Sequence, residues 1–415
     1  MKRVVLFSLL FAASVYPQAR KYTLPAPSMA QTANPSKVVP MPAGKSLSVP
    51  AGFKVEEYAS GYSKPREMLQ LPGGTVLVAD SLPAGKGGVY VVNNDKNRKP
   101  LIAGLDRPFG MAFHEGYLYV TEAEAVKRYK LDPASMTIGA GEKVVDLTGY
   151  TKGHTTRSVA IDAKAKKLYV SVGSGSNHEL GDPANRNAVN VYNLDGSSPE
   201  IFATGLRNPV AIRFQPKSKR LWTTVQERGG LGDELPADFF TEVKKGAFYG
   251  WPFAYLGPNE EPRHKGVNPD AVKKTVEPDF LLGPHVSAMT FAFYTGKSFP
   301  AKYKTAPSSP SAVRLNGQSA SAMCWPSCPS RAANRPASWR PSSPASCPAK
   351  SPRKFTAAPS ACCNSPMAAC CFPKTGPIRS SGSLTLSKSP YLSTPGSSCR
   401  VHPARRPASA RPGGR

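Results

Sequence analysis

The sequence predicts an all-β protein, specifically a six-bladed β-propeller. Three observations carry this prediction: apolar residues alternate with strand periodicity, one plan recurs along the chain, and no stretch keeps helical periodicity. The plan is a short polar opening, often with Arg and Pro, then alternating apolar residues, a turn and a second apolar strand. Its five copies begin at Ser63, Asp106, Thr155, Leu206 and His285. Repeats of roughly 40–50 residues with several strands match propeller blades better than the alternative, an array of β-sandwiches.

The openings of the copies keep a regular spacing. Pro65 and Pro108 are 43 residues apart, Ser158 follows 50 residues later, and Pro209 follows after another 51. The residue series Leu168, Val170 and Val172 has the two-residue period of a half-buried strand. Turn sequences such as Pro-Gly-Gly at 72–74 then reverse the chain.

The N-terminus predicts export. Lys2 and Arg3 precede an apolar run from Val4 to Tyr16, which is too short to span a bilayer. We interpret residues 1–30 as a signal peptide and leader, with an N-terminal anchor as the alternative, and residues 31–45 as a linker. No later stretch is long and apolar enough to span a membrane. The predicted location is therefore periplasmic or secreted.

The C-terminal part differs sharply in composition from the rest. The formal charge of the whole chain is +27, yet residues 306–415 hold 15 Lys and Arg, 18 Pro and no acidic residue. All 8 cysteines lie between Cys324 and Cys399. The remaining body has a net charge of only +12. Aromatic residues are sparse in the basic tail, which holds Trp325, Trp339, Phe355, Phe372 and Tyr391 over 110 residues, so we do not predict a nucleic-acid partner.

The tail is best explained as a gene segment translated out of frame. Reading each codon one base earlier, with G/C-rich codon choices, turns Phe355–Gly376 into "VYGRPVGVLQLPDGGLLLSEDG". This string repeats the blade plan of "KPREMLQLPGGTVLVADS" in the same chain. The same shift turns Thr305–Pro310 into "DGAFVA", a plausible strand. We therefore predict propeller blades over 46–304 and a disordered, out-of-frame tail over 305–415, with the last blade lost. The adjacent cysteine pairs are then leucine codons read out of phase, and "CWPSC" at Cys324–Cys328 lacks the spacing and the paired His of a zinc site.

Two stretches hold residues suited to proton transfer and charge stabilisation. His154 precedes a strand, with Arg157 three residues later, and an imidazole is a natural general base near neutral pH. A solvated loop histidine is the alternative. Arg207 and Asn208 open the next copy, where an arginine suits a carboxylate or a developing oxyanion. Bracing of the junction between blades is the alternative for this arginine.

Two further stretches suit binding. "VQERGGLGDELPADFF" combines Glu227, Asp233 and Glu234 with Gly229 and Gly230, an oxygen-rich loop that suits Ca²⁺ or forms an ordinary acidic turn. "KKGAFYGWPFAYLG" is aromatic and rich in glycine. It suits stacking on a sugar or another ring, and it suits core packing equally well.

These stretches together resemble the glucose/sorbosone dehydrogenase family. The resemblance rests on "GHTTRSVAID", "KLYVSVGSGSN", "TGLRNPVAIRF", "QERGGLGDELPADFFTEVKKGAFYGWPFAY" and "FYTGKSFP", and covers roughly Ser46 to Lys304. It implies an exported six-bladed propeller that uses pyrroloquinoline quinone (PQQ) and Ca²⁺ to oxidise an aldose or sugar aldehyde. An electron acceptor is the second partner that the resemblance implies.

The resemblance also implies roles for individual residues. His154 matches the general base that takes the proton of the substrate hydroxyl. Arg207 and Asn208 match groups at the cofactor, and Arg207 is also expected to be catalytic by stabilising charge that develops on the quinone oxygen. Gly229 and Gly230 fall where backbone carbonyls bind Ca²⁺, and Arg157 is expected near the cofactor channel. A cofactor-binding arginine of the last blade would have stood at Ala358, so we expect weakened cofactor binding and an inactive chain if the frame is broken.

Two other functions remain open on the sequence. The first is a calcium-dependent lactonase or another hydrolase on a six-bladed propeller. The second is a non-catalytic propeller that binds a carbohydrate or a protein.

Overall fold

The computed structural model describes residues 22–28, 44, 47, 49, 52–93 and 99–299. Within these residues the chain forms four antiparallel sheets of four strands each and one short hairpin. The prediction of an all-β, propeller-like fold is confirmed. Most of the predicted signal peptide and the whole out-of-frame tail lie outside the described residues, as does any closing blade.

The strands follow one another in chain order within each sheet except at the end of the fourth. The first sheet contains β1 (Pro65–Gln70), β2 (Val76–Asp80), β3 (Gly87–Val91) and β4 (Ile102–Leu105). The second contains β5 (Met111–His114), β6 (Tyr117–Thr121), β7 (Ala125–Asp132) and β8 (Thr137–Asp146). The third contains β9 (Arg157–Asp162), β10 (Lys167–Val172), β11 (Ala188–Asn193) and β12 (Glu200–Ala203). The fourth contains β13 (Pro209–Phe214), β14 (Leu221–Val225), β15 (Ala237–Glu242) and β18 (Phe280–Pro284).

A long connection separates the third and fourth strands of the fourth sheet. It carries the hairpin of β16 (Ala254–Tyr255) and β17 (Asn259–Glu260), a 3₁₀ turn at Pro262–His264, and helix α1 at Pro269–Lys274. Asn268 caps α1 by accepting a hydrogen bond from the backbone N–H of Ala271, as residues at this position commonly do. No helix in the described part of the chain is long and apolar enough to cross a membrane.

The β9–β10 hairpin shows how local sequence sets the register of a sheet. Lys167 pairs with Asp162 at the turn and Val172 pairs with Arg157 at the far end. The Asp162 carboxylate accepts the backbone N–H groups of Lys164 and Ala165, both at 3.0 Å, which closes the turn. This register places Arg157 at the edge of the sheet where the loop that carries His154 arrives.

Apolar clusters fill the spaces between successive sheets, as the stacking of propeller blades requires. Strand β6 illustrates the two-residue period: Leu118 and Val120 pack towards the first sheet, whereas Tyr119 packs towards the third. Strand β10 repeats the pattern, since Leu168 packs towards the second sheet and Tyr169 towards the fourth. The second and third sheets thus bury both faces, at roughly 1.5–3 kcal/mol for every fully buried Val or Leu side chain.

The fifth predicted copy does not form a blade in the described residues. Residues 285–299 contain no strand, and Val286, Ala288 and Phe291 pack instead against the fourth sheet. The fourth position of that sheet is taken by β18, which ends just before the copy was predicted to begin. The difference has a physical reason, because an opening strand needs neighbouring strands of its own sheet, and those residues lie outside the described part. The prediction of six blades therefore stays a prediction, with four blades described.

Candidate active site

The loops at one edge of the third and fourth sheets form a continuous backbone network. The N–H of His154, before β9, donates to the carbonyl of Ser174, after β10, at 3.0 Å. The N–H of Ser174 donates to the carbonyl of Arg207, before β13, at 2.7 Å. The carbonyl of Asn208 accepts the N–H of Gln226, after β14, at 3.1 Å. Residues that are separated by more than 70 positions in sequence are therefore held in one place.

The imidazole of His154 has a defined tautomer. Its Nδ1 lies 3.0 Å from the carbonyl oxygen of Ser174 and 3.1 Å from the Oγ of the same residue. A carbonyl oxygen only accepts hydrogen bonds, and the Ser174 hydroxyl donates its own proton to the carbonyl of Ser176 at 2.7 Å. The proton of the neutral ring therefore lies on Nδ1. The lone pair of Nε2, which has no partner among the described residues, is free to accept a proton.

The surroundings of His154 keep the ring neutral. Burial lowers the pKa of His154 well below 6.5, and the guanidinium groups of Arg207, Arg186 and Arg157 lower it further. The hydrogen bond to the Ser174 backbone acts in the opposite direction, because it favours the protonated ring. The ring is thus an unprotonated base at neutral pH.

Close approach of the loops requires glycine at position 173. A Cβ on Gly173 would lie 2.4 Å from Oδ1 of Asn208 and 2.7 Å from Cβ of His154, both closer than real atoms approach. The absence of a side chain here allows His154 and Asn208 to pack against the same backbone. Gly173 is therefore part of the architecture of the site, although the sequence analysis did not single it out.

Arg207 and Asn208 are both buried beside His154. Arg207 donates to the carbonyl of Asn177 from Nε at 3.0 Å, to the carbonyl of Glu227 from Nη1 at 2.8 Å, and to Oδ1 of Asn177 from Nη2 at 2.9 Å. The amide nitrogen of Asn208 donates to Oε1 of Gln226 at 3.0 Å. Its Oδ1 is buried and accepts no hydrogen bond, so it is available to a donor on a ligand.

Arg157 braces the loop that carries the base. Its guanidinium is fully buried and donates to the carbonyls of His154 at 2.7 Å, Thr156 at 3.0 Å and Tyr150 at 2.7 Å. Burial, with Arg186 nearby, lowers the pKa of Arg157 to about 9. The predicted contact of Arg157 with a cofactor stays a prediction, and the contacts present are those of a residue that positions His154.

Asn177 connects two of the predicted site residues, Arg207 and Gly229, and was not singled out on the sequence. Its side chain donates to the carbonyl of Gly229 at 3.1 Å and accepts the N–H of Gly229 at 3.1 Å, in addition to its contacts with Arg207. Its carbonyl also accepts the indole N–H of Trp251 at 3.1 Å. Trp251 is buried, which agrees with the core-packing alternative for the aromatic stretch. The only signal on the sequence was that the stretch "KLYVSVGSGSN", which contributes to the family resemblance, ends at Asn177.

The carbonyls of Gly229 and Gly230 do not fit a calcium site as the structure places them. They accept hydrogen bonds at 3.1 Å from Nε and Nη2 of Arg228, respectively. Arg228 also pairs with the buried Glu261 through two contacts of 2.6 and 2.7 Å. A guanidinium thus lies where a cation would have to approach the two carbonyls. The described residues also contain no group of three His, Cys, Asp or Glu side chains able to hold a metal ion.

Two buried carboxyl groups, those of Glu227 and Asp238, lie close enough to Arg207 to feel its charge. The side chain of Asp238 accepts the backbone N–H of Glu227 at 2.9 Å and that of Ala288 at 2.8 Å. Burial raises the pKa of Glu227 to about 7 and that of Asp238 to about 6, and the charge of Arg207 partly offsets both shifts. On the sequence, Glu227 stands out only as a member of an oxygen-rich loop.

The residues around His154 fit PQQ, an acidic quinone, in two respects. Three guanidinium groups act on the site, and positive charge attracts a group that carries carboxylates. The unpaired Oδ1 of Asn208 offers an acceptor to a donor on a bound molecule. Arg207 and Asn208 are the residues that would hold such a group.

Comparisons with known proteins agree with this picture. Residues 47–232 match the model of the TrAA12-like family. A protein from Borreliella burgdorferi described as uncharacterized is 28% identical over 280 residues, which cover 62% of this chain and 69% of that protein. The aldose sugar dehydrogenase YliI of Escherichia coli is 36% identical over 111 residues, which cover 25% of this chain and 27% of that protein. The holo form of the pyranose dehydrogenase PQQ domain from Coprinopsis cinerea superposes with a TM-score of 0.50 at 19% identity. The superposition covers 66% of this chain and 76% of that one, and the likeness shows the fold.

Proposed function

We propose that the protein is a PQQ-dependent oxidoreductase that acts on an aldose or a sugar aldehyde, and the match of residues 47–232 to the model of the TrAA12-like family supports the proposal. The single observation that carries the proposal is the state of His154. A neutral imidazole with its proton on Nδ1 and a free Nε2 lies beside the buried Arg207. A general base beside a fixed positive charge can remove a hydroxyl proton next to an acidic redox cofactor.

Each residue of the site has a distinct task in this reaction. Arg207 and Asn208 would hold PQQ, which would supply the two-electron oxidising capacity for the carbon that carries the sugar hydroxyl. Nε2 of His154 takes the proton of that hydroxyl, and the Ser174 carbonyl stabilises the imidazolium that forms through its bond to Nδ1. Arg207 supplies fixed positive charge, since its own hydrogen bonds to Asn177 and Glu227 hold it in place.

Calcium has no step in this proposal. The carbonyls of Gly229 and Gly230, which the sequence analysis assigned to Ca²⁺, are hydrogen-bonded to Arg228. The apolar run after Lys2 and Arg3 supports export, so we propose that the reaction takes place in the periplasm or outside the cell.

The test uses two proteins, the chain as it stands and a frame-corrected version. PQQ binding is followed by quenching of tryptophan fluorescence, and oxidation by reduction of a dye with a panel of neutral aldoses and sugar aldehydes. We expect PQQ binding and sugar-dependent dye reduction by the frame-corrected protein, and lower affinity or none for the chain as it stands. Lactone hydrolysis without dye reduction, or inertness in both assays, would contradict the proposal.

A further inference from the structure

Arg186 lies just before β11 and joins the two loops that meet at His154. It is 4% exposed, and its Nε donates to the carbonyl of Gly173 at 3.0 Å. Its Nη2 donates to the carbonyl of Ser174 at 2.9 Å and to that of Lys152 at 2.8 Å. One guanidinium therefore binds carbonyls from the loop before β9 and from the loop after β10.

The carbonyl of Ser174 is the common point of this network. It accepts Nδ1 of His154, the backbone N–H of His154 and Nη2 of Arg186. The carbonyl can keep the proton of the imidazole on Nδ1 only while it points at the ring. Besides the His154 ring, Arg186 is the side chain among the described residues that donates to this oxygen. It shares the orientation of the peptide plane with the backbone N–H of His154 and with Asp182, which accepts the N–H of Gly175 from the same plane at 2.8 Å.

Tyr150 keeps the guanidinium itself in place. The central carbon of the Arg186 guanidinium lies 5.1 Å from the centre of the Tyr150 ring, and the Tyr150 hydroxyl donates to Oδ1 of Asn185 at 2.6 Å. The two loops are thus tied at two points. A lysine could not replace this arrangement, because an ammonium offers its three donors from a single atom, whereas the guanidinium fork reaches separated carbonyls.

We propose that Arg186 is a positioning residue that fixes the Nδ1–H tautomer of His154 by orienting the Ser174 carbonyl. For turnover, this inference rests on the proposed function; for the tautomer, it rests on the contacts alone. Arg186→Met removes both the fork and the charge, whereas Arg186→Lys retains the charge and removes the fork. Loss of the fork removes one of the groups that hold the carbonyl towards the ring, and the weaker hold lets the proton shift in part to Nε2, which would leave no lone pair facing a substrate.

Nitrogen-15 NMR of the full chain labelled at histidine reports the tautomer directly and needs no cofactor. We expect His154 of the unmodified chain at neutral pH to show a protonated Nδ1 and an unprotonated Nε2. Both variants should show a mixture of tautomers, and in the frame-corrected enzyme kcat should fall about 10–100-fold with KM for the sugar changed less than about twofold. Arg213→Met, which removes a partly buried arginine that also donates to a backbone carbonyl, should lower stability without changing the tautomer.

The outcomes separate the inference from the proposed function. A shifted tautomer in Arg186→Lys supports the inference even if no sugar is oxidised, and inertness towards sugars counts against the proposed function alone. A protonated Nε2 in the unmodified chain, or unchanged tautomer and kcat in Arg186→Lys, would overturn the inference. If Arg186→Met does not fold, the lysine variant alone decides.

Discussion

Arg213 and Glu67 form an ion pair that joins the opening strand of the fourth sheet to the opening strand of the first. Arg213 lies on β13 and Glu67 on β1, and their sequence separation is 146 residues. Nε of Arg213 also donates to the carbonyl of Phe291 at 2.9 Å, which ties the segment after the fourth sheet to the same point. Glu67 is buried, whereas the side chain of Arg213 is 27% exposed, so the carboxylate is shielded from water and the guanidinium only in part.

This relationship predicts a large stability difference between two arginines. Arg213→Met leaves Glu67 buried without a partner, and we expect a loss of about 3–5 kcal/mol in the free energy of unfolding. Arg220→Met is the matched control, because Arg220 pairs with Glu242 at 2.8 Å with nearly half of its side chain exposed, and it should cost at most about 1 kcal/mol. Urea denaturation monitored by tryptophan fluorescence measures both. Equal losses in the two variants would show that the pair does not join the sheets.

The sequence predicted the four opening strands because their signal is local. Alternation of apolar residues and a turn every 40–50 residues are sufficient to place the strands that begin at Pro65, Met111, Arg157 and Pro209. The strand β18 was missed because it follows an insertion that holds a hairpin and a helix, and its place in the sheet depends on pairing with β15 across 40 residues. Long-range pairing leaves no local pattern to detect.

The candidate site was predicted in part for a related reason. His154, Arg207 and Asn208 lie in recognisable motifs, whereas Asn177 and Arg186 act through hydrogen bonds to backbone carbonyls. Because any residue type has a backbone carbonyl, a side chain that binds one leaves no characteristic pair of residues in the sequence. The same limit explains why the carbonyls of the Gly229–Gly230 loop could be assigned to Ca²⁺ on sequence and yet accept the Arg228 guanidinium in the structure.

Replacement of His154 should separate binding from chemistry. His154→Ala removes the free Nε2 but leaves Arg207 and Asn208 in place, so PQQ affinity should change by less than about threefold while dye reduction falls at least about 100-fold. His114→Ala, on the second sheet, is the control and should retain activity. Fluorescence titration with PQQ measures the affinity, and the dye assay measures the rate of turnover. Retained turnover in the His154 variant would remove it as the base.

The lowered pKa of His154 predicts a specific pH dependence. The folded protein keeps the ring neutral where the unfolded chain takes up a proton, so stability from this group is present above about pH 6.5 and is lost as pH falls towards the folded pKa. The unmodified chain should therefore lose stability relative to His154→Gln between about pH 7 and pH 5. Comparison of the two proteins cancels the opposite contributions of Glu227 and Asp238, whose raised pKa values favour the folded state at low pH.

The lowered pKa of His154 also predicts how activity depends on pH. In the frame-corrected enzyme, kcat/KM should stay constant as pH falls through 6.5 and decline only below it, because the base remains unprotonated. An acidic limb at or above pH 6.5 would contradict the assignment of this buried imidazole as the base.

A single methyl group at position 173 should disturb the site. Gly173→Ala would place a carbon 2.4 Å from Oδ1 of Asn208 and 2.7 Å from Cβ of His154, so the loops must move apart. We expect kcat to fall about 10–100-fold, since small displacements of a catalytic base are costly. Gly139→Ala is the matched control, because its nearest neighbour atoms lie at 3.6 Å, and it should behave like the unmodified protein. Equal kinetics for the two variants would show that the loops accommodate the methyl group.

The Arg228–Glu261 pair determines how the protein responds to metal removal. The two side chains are 2% and 3% exposed, and Arg228 holds the carbonyls of Gly229 and Gly230. Treatment with EDTA should therefore leave the thermal midpoint within about 2 °C of its original value, and added Ca²⁺ should not raise it. Arg228→Met alone should cost about 3–5 kcal/mol because Glu261 is left buried and charged, whereas the double variant with Glu261→Met should recover most of that loss. A rise in the thermal midpoint of the unmodified chain that saturates with Ca²⁺ and disappears with EDTA would show that the carbonyls bind the metal in preference to the guanidinium.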